Sequence, residues 1–267
     1  MNTAIIVAAG KSERMGGKVD KAFLSLGPKP VLAYSLMAFE ACADIDAIIV
    51  VVRKDQVIAT QGVARMFGCR KVQAVVAGGS CRQASVRNGM KECDPDTTIV
   101  SVHDAARPCI TPALISETIK SAKRNGSGIA AQHMTDTVKL VEKGQTISST
   151  LDRSKIWTVQ TPQTFKFDLL ARAFDAVDIN DETITDEASA VEKLGEKVTD
   201  VEQYRVEFGE DELIVFNGKK GRLAPAQKLL DLISKAAMED KLSEVISLKI
   251  EDVEPDPIDI DAFIKEY

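Results

Sequence analysis

Histidine is nearly missing from this 267-residue chain, which has only His103 and His133. Its five cysteines, Cys42, Cys69, Cys81, Cys93 and Cys109, are scattered and form no Cys-x-x-Cys pair. A zinc site built from His and Cys therefore has almost no ligands to draw on. The odd cysteine count, the spacing and the lack of a secretory-type leader predict a reducing cytoplasm. No apolar run approaches the ~20 residues that span a bilayer, which argues against a membrane protein. Positive charge is also in deficit: 34 Lys and Arg stand against 40 Asp and Glu, a net charge of −6. With a pI near 5.2, the chain lacks the broad basic face of a nucleic-acid binder. Two common nucleotide signatures are missing as well. A Walker loop ending at Gly10-Lys11-Ser12 would need glycine at position 5, which is Ile5, and Gly10, Gly16 and Gly17 do not make Gly-x-Gly-x-x-Gly.

What is present reads as an ordinary soluble globular protein, 45% hydrophobic and 28% charged. Its length fits one large α/β domain or one domain with an appendage. Thr3 to Ala8 is a β-branched apolar run that breaks at Ala9-Gly10 into the loop KSERMGGKVDKAFL. That loop carries Lys11, Arg14, Lys18 and Lys21 against Glu13 and Asp20, so it is basic on an acidic chain and suits a small anionic guest. Beyond it, helical periodicity from Val31 to Ala43 alternates with the apolar run Ala47 to Val52, a helix from about Asp55 to Phe67 and a strand at Val72 to Val76. A helix at Arg82 to Lys91 and a strand at Thr98 to Val102 follow. Strands and helices joined this closely predict a doubly wound, mainly parallel sheet with helices on both faces. The loops after Ala8, Val76 and Val102 then converge at the carboxyl edge, where open α/β sheets bind ligands.

The pattern continues with a helix at Pro112 to Arg124 and a strand at Gly128 to Gln132. Thr137 to Glu142 and Gln145 to Leu151 alternate about Lys143-Gly144, a β-hairpin inserted into the parallel domain and projecting from it. Trp157 to Phe165 returns to the body, and helices are expected at Leu169 to Val177 and Thr185 to Leu194, with Asp186 and Glu187 in the first turn of the second. Strands at Val198 to Val201 and Leu213 to Phe216, a helix at Ala226 to Met238 and an acidic, proline-interrupted tail complete the reading.

The residues themselves leave several roles open. The small-residue turn after Ala8 can bring backbone N–H groups to a phosphate, with Arg14 and Lys21 reaching it by charged hydrogen bonds, or it is a solvated basic turn. Asp104 and Arg107, in HDAARP at a strand end, make either a ligand site or a structural ion pair. His103 reads as a packed histidine with no catalytic assignment. Thr137, Arg153, Thr161 and Thr185 each have a structural reading, Thr185 as a helix cap.

Taken together, AAGKSERMG with Lys21 following, GGSCRQASV, VHDAARPCI, DTVK at Asp136 to Lys139, LDRSKIW, QTPQTF and TDEASAVE resemble the 2-C-methyl-D-erythritol 4-phosphate cytidylyltransferase family in order and spacing. The resemblance covers about residues 3 to 195. It implies a nucleotidyltransferase-type, Rossmann-like α/β fold with a hairpin arm at about 134 to 155, exchanged across a homodimer. It assigns Ala8, Ala9 and Gly10 to the CTP phosphates and ribose, Gly79 and Ser85 to the cytosine end, and Arg14 and Lys21 to the reacting phosphates. Asp104, Ala105 and Arg107 would line the junction of nucleotide and sugar phosphate, and Thr137, Arg153, Thr161 and Thr185 the acceptor pocket. Mg²⁺ or another divalent cation is expected with CTP.

The chain departs from the family after TDEAS. The stretch LIVFNGKKGRLAPAQ only partly fits the expected lysine-bearing segment, so Lys219 or Lys220 is the candidate for the acceptor phosphate. Asp20-Lys21-Ala22 stands where the family commonly has Pro-Lys-Gln. The expected organisation is a cytidylyltransferase domain over 1–238 and an acidic extension over 239–267. Two other readings stand beside it: a cytidylyltransferase for another polyol phosphate such as ribitol 5-phosphate, and a nucleotide-binding regulatory protein without turnover.

Overall fold

β1, Asn2–Ala8, is buried along almost its whole length because it lies inside a seven-stranded sheet with a strand on either side. The structure, a computed structural model, describes residues 1–10, 20–178, 181, 183–202, 205–208, 212–217 and 220–225. A 3-10 turn at Lys21–Phe23 and the short pair β2 (Ser25–Leu26) and β3 (Lys29–Pro30) lead into α1 (Val31–Ala41). β4 (Ala47–Val52), α2 (Val57–Met66), β5 (Val72–Ala77), α3 (Arg82–Lys91) and β6 (Ile99–Asp104) follow in strict alternation. α4 (Pro112–Asn125) starts with Pro at its first position behind the cap Thr111, whose Oγ1 accepts from Leu114 N at 3.3 Å, and it ends at Gly126 with φ +92°. Those are the residue types that start and stop a helix.

β7 (Ser127–His133) is followed by the hairpin β8 (Lys139–Lys143) and β9 (Thr146–Thr150), then β10 (Trp157–Lys166), α5 (Phe167–Ala176), α6 (Glu187–Glu192) and β11 (Asp200–Glu202). The main sheet runs β11-β7-β10-β6-β1-β4-β5. β6, β1, β4 and β5 are mutually parallel, as expected. β10 enters between β6 and β7 antiparallel to both, and its pairing with β7 shifts register between Val159 and Gln163. The sheet is therefore mixed, with a parallel half that carries the first three motif loops.

Alternation along the strands divides the core in two. Ala4, Ile6 and Ala8 of β1 and Ile48, Val50 and Val52 of β4 pack with Leu32, Leu36 and Phe39 of α1 and Ile115 and Ile119 of α4. Ile5, Ile49 and Val51 face the other way, with Val86 of α3, Leu170 and Phe174 of α5 and Val191 of α6. The all-buried run AIIVVV of β4 is what a strand covered on both faces requires.

Two compact units divide at Val201/Glu202. The second contains the antiparallel meander β12 (Arg205–Phe208), β13 (Glu212–Asn217) and β14 (Lys220–Pro225). β12 and β14 were not anticipated, and KGRLAP of β14 has no β-branched residue to announce a strand. The expected helix at 226–238, the boundary at 238 and the tail at 239–267 lie outside the described residues.

Candidate functional site

The carboxyl ends of β1, β5 and β6 open onto one cleft of about 630 Å³, and the loop residues that follow them form its walls. From the first loop come Ala8, Ala9 and Gly10. Lys21 follows from the 3-10 turn, Gly79 and Ser85 from the β5–α3 connection, and Asp104 and Ala105 from the end of β6. Eight residues singled out in the sequence are thereby brought together.

Close packing of small residues makes this convergence possible. A Cβ on Gly78 would overlap Ala9 Cβ and Ser85 Oγ, and one on Gly79 would overlap Ala84. Ser85, almost fully buried, accepts from Gly79 N at 3.1 Å and donates to Cys81 O at 2.9 Å, folding the glycine loop onto the start of α3. Asp20 caps the turn that carries Lys21, its Oδ1 accepting from Ala22 N at 3.2 Å. Asp20 Oδ2 is buried without a hydrogen-bond partner among the described residues, 3.9 Å from Arg53 Nε.

The Asp104 end is held by polar contacts on both sides of the sheet edge. His103 is fully buried, and its Nε2 lies 3.2 Å from Arg107 O and its Nδ1 2.9 Å from Thr161 Oγ1. A carbonyl can only accept, so Nε2 carries the proton, and in the neutral ring Nδ1 accepts from the Thr161 hydroxyl. That hydroxyl in turn accepts from Asp104 N at 3.2 Å. Burial pushes the imidazole pKa down to about 4, so the ring is neutral. His103 thus acts as a structural pin for the HDAARP loop, in line with the absence of a catalytic assignment.

Arg107 is a wall residue's partner: its Nε lies 3.5 Å from Asp104 Oδ2 and its Nη1 donates to Gln160 Oε1 at 3.1 Å. Thr161 sits directly behind Asp104 through the hydrogen bond already described. Thr137 and Arg153 are exposed at the root of the hairpin, where Arg153 Nη1 donates to Thr135 O at 2.6 Å, and neither lines the cleft within one chain. Thr185 is exposed just before α6. Its reading as a helix cap is corrected by one residue. Asp186 is the cap: its Oδ1 accepts from Ser189 N at 2.9 Å, the third backbone N–H of the helix, while Thr185 N donates to Ser189 Oγ. Arg14 and Lys219 lie outside the described residues, and Lys220 opens β14.

Arg82 is the cleft residue that sequence reasoning passed over. It lines the cleft at the first position of α3, with Nε and Nη2 on Asp104 Oδ1 at 3.3 and 3.1 Å and Nη1 on Glu187 Oε1. Its signal was available: a cation at a helix N-terminus opposes the macrodipole and needs another reason to be there. Burial alone would disfavour its charge, but the carboxylates of Glu187 and Asp104 outweigh that and hold it protonated. Glu187, expected in the first turn of α6, is there, and it is fully buried. Burial pulls its carboxyl above the usual range, and the Arg82 charge opposes that pull. A sequence cannot show that the first turn of α6 packs against α3.

A cleft with small residues and backbone at its floor and Lys21 and Arg82 in its walls can hold a polyanion and stabilise charge that builds on it. The comparisons agree in kind. Residues 2–208 match the family model described as 2-C-methyl-D-erythritol 4-phosphate cytidylyltransferase. The chain is similar to proteins of that name from Alkaliphilus oremlandii (40% identical over 197 residues, 73% of this chain and 84% of the relative) and Pelotomaculum thermopropionicum (36% over 231 residues, 84% and 97%). Among solved structures it is similar to a 4-diphosphocytidyl-2C-methyl-D-erythritol synthase from Anaerococcus prevotii, with TM-score 0.67 and 28% identity, covering 76% of this chain and 86% of that one. A Francisella tularensis 2-C-methyl-D-erythritol 4-phosphate cytidylyltransferase aligns with TM-score 0.62 and 32% identity over 75% and 89%.

Proposed function

Because the chain belongs to the 2-C-methyl-D-erythritol 4-phosphate cytidylyltransferase family, we infer that it transfers the cytidylyl group of CTP to 2-C-methyl-D-erythritol 4-phosphate and releases pyrophosphate, in isoprenoid precursor biosynthesis. The observation that carries this reading is the single cleft into which three separated sequence stretches deliver Ala8 to Gly10, Gly79 with Ser85, and Asp104 with Ala105. The acceptor already brings its nucleophile. A phosphate monoester oxygen attacks the α-phosphorus of CTP, a new P–O bond forms, and the bond to the bridging oxygen breaks with its electron pair leaving on pyrophosphate. No histidine, serine or cysteine nucleophile is required, which suits a chain whose one histidine near the cleft is a neutral structural pin. What the protein supplies is in-line positioning and fixed positive charge. Lys21 and Arg14 serve the reacting phosphates, and Arg82 adds a third cation.

Mg²⁺ or another divalent ion accompanies CTP in this reading, and the donor set fits an ion held mainly by the triphosphate. Among the described residues no three His, Cys, Asp or Glu side chains gather into a metal cluster. Both Asp104 oxygens are engaged by guanidinium groups. Asp20 lines the cleft, and its buried Oδ2 has no hydrogen-bond partner among the described residues and only the Arg53 guanidinium at 3.9 Å beside it, so it is the carboxylate that would contact such an ion. When bound, the ion neutralises phosphate charge and orients the leaving group.

A homodimer built through the arm is part of the same proposal. β8 and β9 form a two-stranded sheet of their own, and Leu140, Val141 and Ile147 on it are exposed. An isolated hairpin is marginal in water, so apolar residues on one favour a second copy as its support, with Thr137 and Arg153 offered to the neighbouring pocket. No helix among the described residues is long and apolar enough to cross a membrane. A cytoplasmic location and no nucleic-acid partner complete the proposal, in keeping with the cysteine pattern and the net charge of −6.

Pyrophosphate release with CTP and each of two acceptors tests the function. Turnover with 2-C-methyl-D-erythritol 4-phosphate supports the assignment, and a clear preference for ribitol 5-phosphate overturns it. The unusual stretch Asn217 to Pro225 keeps that second acceptor in the experiment.

A further inference from the structure

Glu187 is a fully buried carboxylate at the first position of α6, yet it belongs to no satisfied structural network. Among the described residues its one hydrogen-bonding partner is Arg82 Nη1, bonded to Oε1, and Oε2 has none. A buried charge kept with a single partner is costly to the fold, so the pair calls for an explanation other than stability. Arg82 supplies one. Its side chain is 26% exposed, it lines the cleft, and two of its three nitrogens are committed to Asp104 Oδ1. The guanidinium is thus gripped from two directions by carboxylates on different elements. A guanidinium has five N–H donors. Three are engaged by these contacts, and the remainder, on Nη1 and Nη2, have no partner among the described residues and can meet an anion in the cleft.

The backbone carrying Glu187 is fixed in advance. Gln163 of β10 donates from Nε2 to Asp186 Oδ2 at 2.8 Å and accepts at Oε1 from Ala188 N at 2.9 Å. Gln83, next to Arg82 on α3, donates to Ile184 O. The residues on either side of Glu187 are therefore tied to β10, and the segment before it to α3. Arg82 is held in place before any ligand arrives, which is the condition under which a charged group contributes most to binding a polyanion.

We propose that Glu187 is a positioning residue of the transferase: through its buried ion pair it holds the Arg82 guanidinium against Asp104 in the orientation that grips the triphosphate of the nucleotide. The proposal rests on the assignment of the cleft to CTP. Glu187 touches no substrate, and its whole influence on the reaction passes through Arg82.

Full-length wild type, Glu187→Gln, Arg82→Gln and the double variant, each checked by circular dichroism and thermal melting, are compared in steady-state assays and in CTP binding by calorimetry. Glu187→Gln should raise KM and Kd for CTP about tenfold while KM for the acceptor stays within about threefold. In the Arg82→Gln background the same change should have no further effect on either CTP constant. Unchanged CTP constants in a folded Glu187→Gln, or additive losses in the double variant, overturn the proposal, since a merely structural role predicts lower melting with intact constants or independent penalties. Should Glu187→Gln not fold, the double variant Arg82→Met/Glu187→Leu, which removes both buried charges, carries the test. CTP constants equal to those of Arg82→Met support the proposal, and constants like those of wild type overturn it. If wild type itself neither binds nor consumes CTP, the functional assignment fails instead, a result read before any variant is compared.

Discussion

Acidification should unfasten the protein at His103, and the size of the effect follows from its surroundings. The ring is fully buried beside Phe39, with centroids 5.2 Å apart, and both nitrogens are engaged. Its pKa falls from 6.5 to about 4, chiefly by burial, with the charge of Asp104 opposing the fall. In the unfolded chain the group takes up a proton as pH drops below 6.5, while the native state resists until about 4. Stability contributed by the neutral ring is thus fully present above 6.5 and is lost progressively as pH falls to about 4. At about 1.4 kcal/mol per pH unit the loss over that interval is roughly 3 kcal/mol. Urea unfolding of wild type and His103→Gln at several pH values between 7.5 and 4.5 isolates the effect, because other titrating groups contribute to both. The wild type should be the more stable at pH 7.5, and its advantage should shrink steadily towards acid. The scarcity of histidine helps: only two ring signals appear in a proton NMR titration, and the one deleted by His103→Gln should stay unprotonated down to pH 5. Titration of that signal near 6.5, or parallel pH dependences of the two proteins, would refute the burial argument.

Gly78→Ala should separate the first loop from the glycine loop, since the added methyl overlaps Ala9 and Ser85. A loss of about 1–3 kcal/mol in stability and weaker CTP binding by calorimetry are expected. Lys21→Ala should lower kcat by about 10²–10³ with melting close to wild type, as judged by pyrophosphate release alongside a thermal scan. Thr161→Val removes the acceptor for Asp104 N and the donor to His103. It should cost about 1–3 kcal/mol in urea unfolding and restore part of the freedom of the HDAARP loop, seen as faster amide exchange at Asp104. Chelation by EDTA should abolish pyrophosphate release and leave the melting temperature nearly unchanged, because no cluster of metal ligands among the described residues braces the fold.

Local pattern determined the parallel half of the sheet. Strand-buried runs such as AIIVVV, the Thr111-Pro112 start and Gly126 stop of α4, and alternation about Lys143-Gly144 are all written in a few consecutive residues, and the corresponding elements form where they were expected. Knowing the alternation of strand and helix was enough to send three loops to one edge, because parallel strands must all end on the same side. The antiparallel insertion of β10 between β6 and β7 was not legible, since Trp157 to Phe165 carries the same apolar pattern whichever neighbours it joins. The site divides along the same line. Lys21, Gly79 and Asp104 were marked by their motifs, each on or shortly after the carboxyl end of a strand. The Arg82–Glu187 pair, 105 residues apart in the chain, could be decided only by the packing of α6 onto α3. A sequence records which side chains can ionise, but whether a carboxylate faces water or is buried against one guanidinium depends on tertiary contacts between segments that local propensity does not relate.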